Sequence, residues 1–206
     1  MQPAELDRAD RTPYPLSPKG NLMQTLTERR DEREEGFTLI ELMVVVLIMG
    51  ILMAIAIPTF LSTTRGANNT AAKSNLTNAL IDAKAYYDSN NQSFGSAPSS
   101  TAGVFTDLTS NEPSFSWVYS GSVTTGNGIS VVASPTQIVM ASQAKGTGDC
   151  YFLVDNEQTS NAFGGSPTGP GTYYAKETGL TFGTGCSAGT APSGVTWSST
   201  ESQGWA

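Results

Sequence analysis

Histidine is absent from this chain of 206 residues. Its absence removes the commonest general base, every His-containing metal site, and the Ser/His/Asp and Cys/His arrangements of nucleophilic catalysis. Charge is scarce too, at 14% of residues, with a net of −7. The first 36 residues hold six Lys/Arg and eight Asp/Glu, while the remaining 170 hold only five and ten. So few cations, in a background rich in Ser, Thr, Gly and Asn, argue against a nucleic-acid groove and suit a chain exported from the cell. Cysteine is limited to Cys150 and Cys186, a pattern that fits neither a CxxC redox site nor a zinc knuckle. In an exported chain a disulfide between them is the simpler account, with two free buried thiols as the alternative. Catalysis would fall to carboxylates or lysine, and no two acids recur at a spacing that demands it. No catalytic residue, cofactor or metal set is therefore expected. Asp155-Asn156-Glu157 could offer oxygens to calcium, but it lacks the spaced ligands and glycine of a calcium loop and reads as a solvated turn.

What the chain does have is one long apolar run. The sixteen residues from Leu42 to Ile57 carry no charge and no hydrogen-bonding side chain. With Phe37 to Glu41 they make a segment of about 31 Å as a helix, enough to span a bilayer's hydrocarbon core. Glu41 lies only four residues inside the apolar boundary, where an ionised carboxylate costs on the order of 2.5 to 3.5 kcal/mol. A residue so placed needs a partner.

Glu35-Gly36-Phe37-Thr38-Leu39-Ile40-Glu41-Leu42-Met43, with Pro58 closing the apolar run, resembles the N-terminal signature of type IV prepilins and their pseudopilin relatives. The resemblance covers about the first third of the mature chain. It implies that a prepilin peptidase cuts between Gly36 and Phe37 on the cytoplasmic side and that the new Phe37 amine is methylated. It implies further that Glu41 pairs with the Phe37 amine of a neighbouring subunit, neutralising two charges in an apolar core and fixing the axial register.

Residues 1–36 form the expected leader. Pro3, Pro13, Pro15 and Pro18 break any periodicity, and Glu28 to Glu35 is a mixed charge run, so this stretch reads as disordered and cytoplasmic. Six Lys/Arg before the apolar segment, against Arg65 and Lys73 shortly after it, keep the N-terminus inside by the positive-inside rule. A secretory signal would be cut after the apolar run, yet Pro58-Thr59-Phe60-Leu61 offers no small-residue site. An uncleaved signal anchor is the alternative.

The spacing predicts one long helix from residue 37 to about 90, with a membrane or filament-core half (37–57) and an amphipathic half (58–90). In the second half Ala67, Ala71, Ala72, Leu76, Ala79, Leu80, Ala83, Tyr86 and Tyr87 recur at steps of three and four. Asn90-Asn91 supplies the stop. Pro58 lacks the N–H for the Ala54 carbonyl, and Gly50 and Gly66 weaken the same region, so a kink is expected there.

Residues 91–206 form the expected exported head. After a Ser/Gly/Pro/Asn-rich connector to Phe115, four runs rich in β-branched and aromatic residues follow: 116–120, 129–133, 137–142 and 150–155. Gly126-Asn127-Gly128 reads as a tight turn. The fold class expected is α+β, with a small antiparallel sheet of about four strands packed on the Leu76 to Tyr87 stripe. The loop 150–186 resembles the C-terminal disulfide loop of major pilins. Trp117, Trp197, Trp205, Tyr119, Tyr151, Tyr173 and Tyr174 lack basic neighbours and read as packing residues, so DNA binding has no support.

The function implied by the resemblance is that of a structural subunit, a major pilin. It would reside in the cytoplasmic membrane and then polymerise into an extracellular filament for adhesion, motility or DNA uptake. Implied partners are identical subunits, the prepilin peptidase, a membrane platform protein, an assembly ATPase and, before assembly, the lipid bilayer. A pseudopilin of a type II secretion system and a minor pilin acting as a tip binding module are the alternatives.

Overall fold

The computed structural model describes residues 36–95, 103–160, 163, 165–190, 192 and 194–206. The leader, apart from Gly36, lies outside the described residues, as does Gly164 of the loop. The chain divides into two compact units, Met1–Leu52 and Met53–Ala206. Helix α1 (Leu39–Ser89) runs through the division.

In the second unit the helical period decides which face of α1 is covered. Ala72, Leu76, Ala79, Ala83 and Tyr87 are buried. Ala67 and Ala71, expected on the same stripe, are exposed. At about 100° per residue, Ala71 lies a quarter-turn or more round the helix from Ala72, and Ala67 lies further. Asn68 and Asn69 take the inward face instead. Asn68 Nδ2 donates to the Lys145 carbonyl at 2.7 Å, and Asn69 Nδ2 reaches Asp149 Oδ2 at 3.4 Å. The helix stops where expected, with Asn91 and Gln92 in left-handed backbone (φ 53° and 54°).

The connector is more ordered than its composition suggests. It holds a short helix α2 (Val104–Asn111) whose Val104 and Leu108 are buried in the same core as Leu76. The sheet then has five strands in sequence order: β1 (Ser116–Tyr119), β2 (Gly128–Ser134), β3 (Gln137–Gln143), β4 (Cys150–Asn156) and β5 (Gly171–Glu177). Strands β2 to β5 pair antiparallel. The α+β class stands, with two differences from the sequence reading. One is the fifth strand. The other is that β1 runs parallel to β2, so Gly126-Asn127-Gly128 closes no hairpin. The intervening segment is drawn away by Val123, which is fully buried and donates its N–H to the Cys186 carbonyl at 2.9 Å.

Period-2 alternation gives the sheet two covered faces. Ile129, Val131, Ile138, Met140, Tyr151 and Leu153 pack with the α1 stripe. Val132, Val139, Ala141, Phe152, Val154 and Ala175 form a second core with Cys150, Cys186 and Ala188. The second core is roofed by the C-terminal loop, which has few apolar residues and is held by polar side chains of the sheet. Gln137 Nε2 donates to Ser166 Oγ (3.1 Å) and to the Pro167 carbonyl (3.3 Å). Asn156 Nδ2 donates to the Pro167 and Gly169 carbonyls (2.7 and 2.8 Å). At the other end of β3, Gln143 Nε2 donates to the Thr181 carbonyl and its Oε1 accepts from the Gly183 N–H. The Cys150–Cys186 disulfide, with Cα atoms 5.5 Å apart, staples the same roof.

Residues 198–206 close the β5 edge. Ser198 and Tyr174 exchange backbone hydrogen bonds of 2.8 and 3.0 Å. Trp205 enters the first core, packs edge-on against Tyr174 and Tyr151, and donates its indole N–H to the Phe152 carbonyl at 2.9 Å. Lys73 Nζ donates to the Trp205 carbonyl at 3.0 Å and lies 5.1 Å from the centre of the Tyr151 ring. The buried aromatics Tyr151 and Trp205 thus act as packing residues, as expected, although Lys73 is a basic neighbour that their sequence surroundings did not show.

Candidate functional site

The start of α1 is set by a capping box. Thr38 is the N-cap: its hydroxyl accepts the Glu41 N–H at 3.2 Å. Glu41 answers from the third helical position, its Oε2 accepting from the Thr38 N–H and the Thr38 hydroxyl at 3.3 Å each. Two of the donors that every helix start leaves orphaned are satisfied reciprocally, and a carboxylate is held where the helix dipole favours it. The signal was present in the sequence as Thr-x-x-Glu before an apolar run. The reading of Glu41 as a residue in need of an intermolecular partner passed over it.

Gly36, Phe37 and Thr38 precede the helix and are exposed, and Phe37 is 87% accessible. A Cβ added at Gly36 would meet nothing within 4 Å. Gly36 and Phe37 thus lie on an exposed, irregular stretch before the helix. The structure brings Gly36, Phe37 and Glu41 together at one end of α1. Glu41 is held by Thr38 in this single chain.

Beyond the cap, every large apolar side chain from Leu39 to Leu61 is exposed. The exposed positions occupy all sides of the helix, so no choice of face could bury them within one chain. α1 is long and apolar enough to cross a membrane, and none of its most apolar window is covered by the fold. Gly50 sits in this stretch with open space where a Cβ would be, leaving room for another backbone to approach. The helix continues through Pro58. Downstream the hydroxyls turn inward on their own helix. Thr59 Oγ1 donates to the Ile55 carbonyl, Thr63 to Thr59, Thr64 to Phe60 and Thr70 to Gly66, all at 2.9 to 3.0 Å.

On the head, Asp155 and Asn156 are 1% and 2% exposed at the end of β4, which overturns their reading as a solvated turn. Burial follows from β4 being covered on both faces. The Lys84 ammonium lies 3.2 Å from Asp155 Oδ1 and 3.6 Å from Glu157 Oε1, and Thr172 Oγ1 also donates to Asp155 Oδ1. The cation beside these carboxylates is a lysine of the chain itself. Burial, and then the hydrogen bond and charge of Asp155, push the Glu157 carboxyl up, with Lys84 opposing. A carboxylate raised in the folded state binds its proton more tightly there than in the unfolded chain. Its ionisation therefore weakens the fold as pH rises, and stability returns as pH falls through the raised value. The expected result is that the melting-temperature difference between wild type and Glu157→Gln moves in favour of wild type from neutral pH toward the ordinary glutamate value of 4.5. Thermal melts at a series of pH values check this, and a constant difference would exclude it.

One comparison with known proteins falls on this end of the chain. The family model described as a prokaryotic N-terminal methylation motif matches residues 33–57. The type IV major pilin protein PilA of Myxococcus xanthus (strain DK1622) is 46% identical over 59 residues, covering 29% of this chain and 27% of that protein. The match thus spans about a quarter of the curated relative's length. No solved structure matches. The residues that the family model matches include Gly36, Phe37, Glu41 and the apolar helix behind them, and over that stretch the chain is similar to a prokaryotic N-terminal methylation motif, as it is over 59 residues to a type IV major pilin.

Proposed function

We propose that the chain is a structural subunit, a major pilin, that waits in the cytoplasmic membrane, is cut after Gly36, and polymerises through α1 into a surface filament. The observation that carries this reading is the apolar half of α1, exposed on all sides in the single chain. Such a surface needs lipid before assembly and other copies of the same helix afterwards. The similarity to a protein named as a type IV major pilin supports the same role. The stapled loop, which roofs the sheet with polar residues, suits a head facing outward and favours a pilus over a short secretion rod. By family resemblance, the partners are the prepilin peptidase, a membrane platform protein and a motor ATPase. The subunit itself would hold no nucleotide.

The test is intact-mass and N-terminal analysis of filaments sheared from the cell surface. The expected chain begins at methylated Phe37 and is lighter by two protons than its reduced mass. Protein found only in the membrane fraction, with the residues before Phe37 still attached, would overturn the filament reading. A processed chain that is scarce on the surface would count for a minor pilin or a pseudopilin instead.

A further inference from the structure

Past Leu61 the described surface is polar with one break. Ile81, at 63% exposure, is the only large apolar side chain beyond that point that stands exposed among the described residues. It lies with Asn78, Asp82, Glu112 and Phe115 around a groove of about 250 Å³ between α1 and the segment that follows α2. The groove is apolar along Ile81 and Phe115 and acidic at its rim. Among the described residues no Lys or Arg pairs with Asp82, Asp107 or Glu112, the only ion pairs there being those of Lys84. The carboxyl of Asp82 is pushed up, by burial first and then by the charges of Glu112 and Asp107, as expected of neighbouring acids with no cation between them.

Five cations follow residue 36. Lys145, in the β3–β4 connection, and Lys176, on β5, have no exposed large apolar residue next to them in the chain. Lys84 is held by Asp155 and Glu157, and Lys73 by the Trp205 carbonyl and the Tyr151 ring. Arg65 is exposed and forms no ion pair among the described residues. One helical turn before it stands Leu61, 52% exposed and, at a spacing of four, on the same face. An exposed aliphatic residue beside a free guanidinium is the counterpart of an exposed aliphatic residue beside unpaired carboxylates. Both halves are on this one chain, at different heights on the same helix.

We propose that the Ile81–Phe115 groove receives the Leu61–Arg65 face of a second copy of the chain, with Leu61 against Ile81 and Phe115 and the Arg65 guanidinium between Asp82 and Glu112. The proposal rests on the filament reading above. Arg65 and Asp82 are seventeen residues apart, so the two copies are offset by about 25 Å along the helix axis. A contact between Glu41 and a neighbour's Phe37 amine, four residues apart, calls for an offset of only about 6 Å. One neighbour cannot satisfy both, so this contact belongs to a second, more distant neighbour. Because the groove and the face that fills it are different surfaces, the contact is heterologous and propagates instead of closing a dimer. Arg suits the site because its planar, weakly hydrated guanidinium can engage two carboxylates at once.

The test uses the full chain in cells that assemble it. Reversing the rim with Asp82→Lys and Glu112→Lys is expected to lower sheared filament yield at least about tenfold, since like charges then face each other across the contact. Adding Arg65→Glu to the same chain is expected to restore most of the yield. Formation of the Cys150–Cys186 bond in each variant shows that the head has folded. Independently, Arg65→Cys combined with Glu112→Cys is expected to give a ladder of cross-linked chains on mild oxidation, absent from either single variant. Normal filaments from the reversed rim, or filaments without the ladder, would overturn this contact and leave the filament reading standing. A loss that Arg65→Glu does not restore would mean that the groove holds something other than a second copy, and would also overturn it. Failure of the processed wild-type chain to form filaments at all would instead strike the filament reading itself.

Discussion

Replacing Glu41 with glutamine is expected to abolish filament assembly while the proposed cut after Gly36 proceeds. Glutamine is the informative choice because it keeps the geometry of the capping box. Its amide oxygen can accept from Thr38 N–H as the carboxylate does at 3.3 Å. Only the charge is lost. If Glu41 neutralises the new amine of a neighbour's Phe37 inside an apolar bundle, the variant leaves that amine buried and unpaired. Breaking such a pair costs about 3 to 5 kcal/mol, more than about a hundredfold in yield. Thr38→Ala does the converse. It removes the cap, frays the first turn of α1 at a cost of about 1 kcal/mol, and leaves the charge in place. Filament yield from that variant is expected to fall only severalfold. The measurements are immunoblots of sheared filaments and N-terminal sequencing of the membrane-bound pool. Wild-type yield from Glu41→Gln would leave the helix cap as the only role for this residue.

Loss of the disulfide, by Cys150→Ser with Cys186→Ser, is expected to lower the melting temperature of the head by on the order of 10 °C. The bond closes a loop of 36 positions, worth about 3.5 to 4 kcal/mol in the chain-entropy model. It matters here because the roof it holds has so little apolar contact of its own. Without it the parts of the loop on either side of β5 are held chiefly by Gln137, Asn156 and Gln143, whose hydrogen bonds compete with water, with Phe163 and Leu180 packed on the second core. Cuts in residues 157–186 are therefore expected to appear first in limited proteolysis of the variant, while β2 to β4 stay protected. An unchanged melting temperature and cleavage pattern would show that the roof holds without the bond.

Much of this architecture was legible in the residues because burial imposes a period. The α1 stripe around Leu76 and the strands from Trp117 to Asp155 each carry the repeat that their covered faces require, and their limits fall within a residue or two of the expected ones. Cys150 and Cys186 pair as export suggested. β5 was missed because it is an edge strand, half exposed, so Thr172-Tyr173-Tyr174-Ala175-Lys176 shows no clean alternation. Its signal was weaker: two β-forming tyrosines between Gly171 and Gly179. α2 was hidden by its length of eight residues, with only Val104 and Leu108 fully buried. The direction of β1 was not local information at all. It depends on Val123 being drawn under Cys186, a contact across more than sixty residues. At the site, Glu41 stood out by its cost in an apolar segment, and that prominence obscured its ordinary work at the helix start.

The inward-turned threonines of α1 have a consequence for movement. Thr59, Thr63, Thr64 and Thr70 give their hydroxyl hydrogens to carbonyls of their own helix, so these four side chains need no outside acceptor. For them water, lipid and a neighbouring helix are nearly equivalent hosts as far as hydrogen bonds are concerned. Arg65, Asn68 and Asn69 end that indifference, the asparagines by tying the helix to the head and the guanidinium by its charge. The turn that carries Arg65 thus sets how far the helix can be drawn into an apolar medium before a polar toll falls due.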